Sequence, residues 1–367
     1  MAIQKIPIEQ FLSLAQEHPV LDVRSPSEFI HAHIPSAYSL PLFNDEERKI
    51  VGTTYKQQSR QQAIKTGLDY FGIKMRKMVE EVESLMAGRW SLAEKKAQAI
   101  NDQRSTNIVL IHCWRGGMRS TALAWLLDLY GHKVYTLAGG YKAFRNWVLQ
   151  QFNTEYNLKI LGGYTGSGKT ILIEAMRRLG KPVINLEALA NHKGSAFGAL
   201  GEKPQPSQEM FENILALELY SKASHAAEGL EEPLWMEDES KRIGELNIPK
   251  SLWDQMRSSP VYFIDIPFEQ RLSYLVKTYG TLKKDELLNA IGRIQKRLGG
   301  LETKNAVKYL SENDIRESFS ILLKYYDKCY SKGLHNRINL DDLLNKISCE
   351  TVTINNVEDL YPLKNKV

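Results

Sequence analysis

One octapeptide constrains this chain more than any other stretch: Gly163-Tyr164-Thr165-Gly166-Ser167-Gly168-Lys169-Thr170. It fits G-x-x-x-x-G-K-[ST], the phosphate-binding loop, and its flanks supply the context that motif requires. Leu158-Lys159-Ile160-Leu161 before it is short and apolar enough for a buried strand. Ile171 to Leu179 after it reads as a helix closed by Gly180. Strand, glycine loop and helix together aim backbone N–H groups and the positive end of a helix at an anion. Gly163, Gly166, Ser167, Gly168, Lys169 and Thr170 are therefore the expected phosphate-binding residues. Lys169 adds a full charge, and the Thr170 hydroxyl can bind a magnesium ion. The motif reports a di- or triphosphate. It leaves open what the phosphate is attached to, and whether a nucleotide is ever bound.

Upstream lies a second anion-binding stretch, His112-Cys113-Trp114-Arg115-Gly116-Gly117-Met118-Arg119-Ser120. Asn107 to Ile111 reads as a buried strand that delivers Cys113 to its C-terminal end, where the active loops of open α/β sheets sit. A nucleophilic cysteine must be a thiolate. Inward-facing N–H groups running into a helix N-terminus lower a thiol pKa for the same reason they bind an anion. Cys113, Arg115 and Arg119 are accordingly the expected catalytic residues. The pattern matches cysteine phosphatases and also the sulfur-carrying loop of rhodanese-like sulfurtransferases.

The surrounding chain reads as alternating strands and helices, hence α/β. Val20 to Arg24 is a strand, and Ser25 with Glu28 forms a capping box for the next helix. Arg24 and Glu28 are placed to pair. A doubly wound first domain is expected over residues 1–152, with a helical insertion over about 44–104. The basic residues of that insertion interleave with Tyr55, Tyr70 and Phe71, either as a solvated face or as a contact surface for a polyanion. A second α/β domain spans 157–266, with a long helix from Gln208 to about residue 227. Its strand Pro233 to Met236 ends in Glu237-Asp238-Glu239. Phosphate-loop proteins place a magnesium-associated acid after such a strand. Thr170, Glu237 and Asp238 are thus the expected metal residues, with Glu239 competing.

Residues 267–367 are expected as a basic helical segment packed on that domain. From Pro267 to Arg337 it holds fourteen Lys/Arg against eight Asp/Glu, an excess that accounts for the chain's net charge of +5. Tyr279, Tyr309, Tyr325 and Tyr326 lie among these bases, as suits phosphate contacts and stacking on unpaired bases. The three cysteines, Cys113, Cys329 and Cys349, have no C-x-x-C spacing, so neither a zinc site nor a disulfide framework is indicated. The start of the chain lacks a signal-peptide pattern, and no apolar run is long enough for a membrane helix. A cytoplasmic protein without a membrane partner is expected.

Several stretches also carry a resemblance. Asp22 to Phe29, His33 to Ala37 and Leu137 to Tyr141 resemble the elements flanking a rhodanese loop, in the right order. Five residues separate Cys113 from Arg119 where many rhodaneses have four, giving a wider cradle sized for a phosphate-like anion. Adding Asn44 to Arg48, His192 to Ser195, Gln205 to Gln208 and Trp235 to Ser240, the chain resembles the tRNA 2-selenouridine synthase family, also described as tRNA 2-thiouridine geranyltransferases. The resemblance implies a rhodanese-like domain followed by a P-loop domain, acting on the wobble uridine of tRNA. Geranyl diphosphate would alkylate the sulfur of 2-thiouridine, and selenium from selenophosphate would then replace the geranylthio group. Cys113 would accept selenium as a selenenylsulfide-type adduct, Arg115 and Arg119 would hold the selenophosphate oxygens, and the phosphate loop with Mg²⁺ would hold the diphosphate. The basic helices would grip the anticodon arm. Two other readings stay open: a cysteine phosphatase or sulfurtransferase fused to an ATP-using P-loop NTPase or kinase, and an RNA-binding protein with an inert rhodanese domain.

Overall fold

The computed structural model describes residues 3–97, 107–226 and 232–360. The chain forms two units, residues 1–150 and 151–367.

The first unit is built on a parallel sheet of β1 (Gln4–Ile6), β2 (Val20–Asp22), β3 (Tyr38–Ser39), β4 (Ile108–His112) and β5 (Lys133–Leu137), in the order β1-β5-β4-β2-β3. β4 is buried along its whole length, as a central strand covered on both faces must be. The capping box appears as expected: helix Pro26–His31 starts at Ser25, whose amide donates to Glu28. Helix Met118–Tyr130 stops at Gly131, which takes the left-handed conformation that a side chain would resist. The insertion forms helices Asp45–Gln57, Arg60–Gly72 and Met75–Ala97; its remainder to about residue 104 lies outside the described residues. Several of its bases are already paired, Lys74 with Glu47, Arg76 with Glu80 and Lys77 with Glu81. Phe71 is buried and Tyr70 half-buried, so of the three aromatic residues only Tyr55 stands exposed.

Arg24 does not pair with Glu28. It turns back on Asp22 at 2.7 Å, donates to the Ala32 carbonyl and lies 3.8 Å from the Tyr141 ring centre, fully buried. A charge closed inside a core needs partners, and here Asp22, the Ala32 carbonyl and the Tyr141 ring supply them locally.

The second unit carries β6 (Leu158–Gly163), β7 (Val183–Ile184), β8 (Leu234–Glu237), β11 (Val261–Asp265) and β12 (Leu344–Ser348), all parallel, in the order β12-β11-β6-β8-β7. Between β8 and β11 an antiparallel ribbon joins β9 (Arg242–Ile243) and β10 (Leu246–Asn247). β7 ends after Ile184, because the Asn185 side chain caps a helix that begins at Leu186. The long helix runs Gln208–Ala226, and residue 227 lies outside the described residues. Gln205 and Gln208 hold the ribbon. Gln205 donates to the Ile243 carbonyl and accepts from the Glu245 amide, while Gln208 bonds both backbone groups of Asn247.

The basic segment forms helices Phe268–Tyr279, Lys284–Leu298, Gly300–Ser311 and Ile315–His335 around an apolar cluster that includes Leu287, Ile291, Phe319 and Leu323. It is not helical throughout, since β12 returns to the sheet edge beside β11. The tyrosines are less available than their spacing implies. Tyr279, Tyr325 and Tyr326 pack against that cluster, and the Tyr326 hydroxyl accepts from the Ala196 amide. Among the described residues, no helix is long and apolar enough to cross a membrane.

Candidate active sites: a thiolate cradle and a phosphate loop

β4 delivers Cys113 to the carboxyl end of its sheet, where the chain turns through Gly116 and Gly117 into helix Met118–Tyr130. The Cys113 sulfur accepts the Gly117 N–H at 3.3 Å and lies 3.3 Å from the Ser120 hydroxyl. Burial by itself pushes this thiol up. Hydrogen bonds from the Ser120 hydroxyl and from the amides of Ser120, Gly117 and Arg115 outweigh it and hold the thiol below its ordinary pKa. Two glycines make this turn possible. Gly116 and Gly140 both adopt positive φ, and a Cβ on Gly140 would sit 2.3 Å from the Cys113 carbonyl oxygen.

Arg119 ion-pairs with Glu28 at 2.9 Å, so the capping-box carboxylate also orients this arginine. Arg115 projects to solvent beside Trp114. His112, beneath the cysteine, is fully buried 3.7 Å from Asp22. Burial depresses its pKa to about 4 in spite of that carboxylate, and it is neutral at pH 7. The arrangement presents a buried thiol of lowered pKa held by N–H and O–H donors, with Arg115 and Arg119 on the same loop, which suits attack on an anion-bearing donor atom. Ser120 and Glu28 were not singled out from sequence for these roles, although the first closes the loop motif and the second is the capping-box acid. Removing the hydroxyl in Ser120→Ala is expected to raise the thiol pKa. A pH profile of Cys113 alkylation by iodoacetamide should then shift upward, with the rate at pH 7 falling several-fold, as about 1 kcal/mol for one hydrogen bond predicts.

The phosphate loop follows β6, the central strand of its sheet, whose neighbours β8 and β11 lead the chain to opposite sides. That is the crevice where open α/β sheets bind ligands. Gly163, Gly166 and Gly168 all take positive φ. A Cβ on Gly163 would meet the Ser167 hydroxyl at 2.4 Å, and one on Gly166 would press on Leu275 and the Arg271 carbonyl. Ser167 is buried, and its hydroxyl has no partner among the described residues. Lys169 Nζ donates to the Gly163 carbonyl at 2.9 Å. Thr170 Oγ1 donates to Glu187 at 3.0 Å.

The acids divide by partner. Asp238 is occupied on both oxygens, by Arg337 at 2.6 Å and by the Tyr330 hydroxyl at 2.7 Å. Glu237 accepts the Glu187 amide through one oxygen, while its other oxygen is buried without a partner. Burial and then the Glu187 carboxylate push the Glu237 pKa to about 8, and Glu239 is raised for the same two reasons. Carboxylates crowded this way beside Lys169 and Thr170 favour an added cation, which would restore their ionised forms. Glu187 came from no sequence signal, since its strand is two residues long and its helix five. A cleft of about 2430 Å³ opens beside the loop, with Glu187, Lys193, Glu239 and Arg297 among its lining.

Known proteins agree with this domain content. The rhodanese-like domain family matches residues 8–146, and the tRNA 2-selenouridine synthase AAA domain family matches residues 156–340. Proteins named tRNA 2-selenouridine synthase align over most of their length. One from Sulfurovum sp. is 34% identical over 345 residues, covering 85% of this chain and 87% of its own. One from Hydrogenovibrio crunogenus is 36% identical over 345 residues, covering 85% and 88%. One from Bdellovibrio bacteriovorus is 33% identical over 380 residues, covering 92% and 94%. With both domains matched in order and relatives aligned through both, the chain belongs to the tRNA 2-selenouridine synthase family and is an enzyme of the transferase class.

Proposed function

We propose that this enzyme modifies the wobble uridine of tRNA in two steps, S-geranylation of 2-thiouridine and then replacement of the geranylthio group by selenium. The observation that carries the reading is one chain holding two separate anion sites, a thiolate cradle and a phosphate loop, within a family named for 2-selenouridine synthesis. A thiocarbonyl carbon is a poor electrophile with a poor leaving group. When the thiouridine sulfur attacks the first carbon of geranyl diphosphate, the C–O bond breaks and pyrophosphate departs. The product carries a thioether on an activated carbon, from which a selenium nucleophile can expel geranylthiolate.

In this reading the phosphate loop seats the diphosphate, and Lys169 faces the charge that grows on the departing pyrophosphate. The donor set fits a divalent cation: the Thr170 hydroxyl, the unpartnered buried oxygen of Glu237, and a Glu187 carboxylate already bonded to Thr170. Bound Mg²⁺ would neutralise diphosphate charge there. Asp238, taken up by Arg337 and Tyr330, is a supporting residue in this scheme and not a ligand. Cys113 is the nucleophile toward the phosphorus of selenophosphate, whose oxygens Arg115 and Arg119 hold. The P–Se bond breaks with its electron pair on selenium, the selenide released is the nucleophile that expels geranylthiolate, and water then frees phosphate from the sulfur. The anticodon arm of tRNA lies on the basic helices of residues 267–337, where phosphates meet lysine and arginine. Residues 1–152 and 157–266 act as the rhodanese-like and P-loop domains, in a cytoplasmic protein.

The test is mass spectrometry of tRNA bearing 2-thiouridine after incubation with the protein, magnesium and geranyl diphosphate, without a selenium source. The expected result is a mass gain of one geranyl group on that nucleoside. No gain, with ATP hydrolysis in its place, would return the loop to nucleotide chemistry.

A further inference from the structure

The phosphate loop is held from outside its own sheet. Helix Ile315–His335 belongs to the basic layer, yet two of its side chains tie down the loop backbone, Tyr330 directly and Asp327 through Arg271. They lie three residues apart and so share one helix face. The Tyr330 hydroxyl accepts the Gly163 N–H at 3.1 Å and donates to Asp238 at 2.7 Å, and Asp238 is clamped in turn by the buried Arg337. Asp327 takes Arg271 in a two-pronged ion pair, 2.8 Å on each oxygen, and Arg271 donates to the Thr165 carbonyl at 3.0 Å. Arg271 is itself nearly closed from solvent, with the Tyr164 ring centre 5.0 Å from its guanidinium carbon.

These contacts fall on the groups that define the loop's shape. Gly163 gives its N–H to Tyr330 and its carbonyl to Lys169, so one residue ties the helix to the loop's charged side chain. Lys169 Nζ also lies 5.6 Å from the Tyr330 ring centre. The fit leaves no slack, since a Cβ on the preceding Gly162 would come 3.0 Å from the Tyr330 hydroxyl. A cradle of backbone N–H groups binds an anion only if its turn is held before the anion arrives. Neither glycines nor a solvated lysine can hold it unaided, because glycine has the widest conformational freedom of any residue.

We infer that Tyr330 and Asp327 are positioning residues for the phosphate loop: Tyr330 sets Gly163 and Lys169, and Asp327, through Arg271, sets Thr165. The inference rests on the reading of the loop as the diphosphate site. It makes affinity for the phosphate-bearing donor depend on side chains of a helix far along the chain from the loop, Tyr330 lying 167 residues beyond Gly163.

The experiment measures inorganic pyrophosphate binding by calorimetry with magnesium, on the full chain and on Tyr330→Phe, Asp327→Asn and Lys169→Ala. Tyr330→Phe keeps the ring and removes both hydrogen bonds. It is expected to weaken pyrophosphate binding about tenfold, as loss of one well-placed hydrogen bond does. It should raise KM for the diphosphate donor by a similar factor while leaving kcat and tRNA affinity near wild type. Asp327→Asn is expected to shift affinity in the same direction, and it carries the test should Tyr330→Phe fold poorly. Wild-type pyrophosphate affinity in the folded variants, with binding lost in Lys169→Ala, overturns the inference. An equal loss of tRNA and pyrophosphate binding also overturns it, since that marks a general structural role. Unchanged binding in Lys169→Ala shows that the loop is not the anion site, and the reading beneath the inference then fails first.

Discussion

Cys113→Ala is expected to abolish selenium incorporation while S-geranylation proceeds within about twofold of wild type. The expected loss is at least ~10³-fold, because the nucleophile is deleted and the remaining cradle can only bind. Alanine fits the site without strain, for the side chain sits in an ordinary position after β4 and only the sulfur meets the Gly117 amide and the Ser120 hydroxyl. The measurement is nucleoside mass spectrometry of 2-thiouridine tRNA, run with geranyl diphosphate alone and then with selenophosphate added. Geranylated tRNA should accumulate and 2-selenouridine should be missing. Loss of both products in a folded variant would show that the two sites do not divide the work. The cradle's chemistry explains why serine should not rescue the variant. Hydrogen bonds that hold a thiol below its ordinary pKa leave a serine hydroxyl, far less acidic, protonated at pH 7.

Lys169→Ala should have the opposite signature. Geranylation is expected to fall by ~10² or more, the scale seen when one preorganised charge facing a developing anion is removed. Replacement of the geranylthio group by selenium should survive when already geranylated tRNA is supplied. Part of the loss is structural, because Lys169 Nζ bonds the Gly163 carbonyl and so helps close the loop. Lys169→Arg separates the two effects. It keeps the charge, but a planar fork cannot replace a compact ammonium in this turn, so partial recovery of pyrophosphate binding with poor turnover is expected. Unchanged prenyl transfer in Lys169→Ala would remove the phosphate loop from the reaction.

The two sites differ in what holds them. The cysteine loop is supported by residues near in sequence or just after the adjacent strand: Ser120 in the first turn of the following helix, and Gly140 and Tyr141 at the start of the helix after β5, Tyr141 donating its amide to the Cys113 carbonyl at 2.8 Å. The phosphate loop is supported from far away in the chain, by Arg271, Asp327, Tyr330 and, through Asp238, Arg337. Substitutions in the last helices should therefore reach the second site more readily than the first.

The sequence by itself determined the α/β class, the two loops and the elements that carry them. Each is a local matter: alternating apolar runs make parallel strands, glycines at set offsets supply positive φ, and Ser25 with Glu28 starts a helix. Tertiary structure decided the partners. Arg24 faced Glu28 on spacing alone, but burial forced it onto Asp22 and Ala32, leaving Glu28 for Arg119. Asp238 and Glu237 are indistinguishable as neighbours in sequence, yet one is consumed by Arg337 and Tyr330 while the other keeps a bare oxygen beside Glu187. The basic tyrosine-bearing helices read as a surface, but half of their business is inward, packing a core and gripping the loop. No local pattern encodes such contacts, because residues as distant as Gly163 and Tyr330 meet only once the sheet and helices have closed around them.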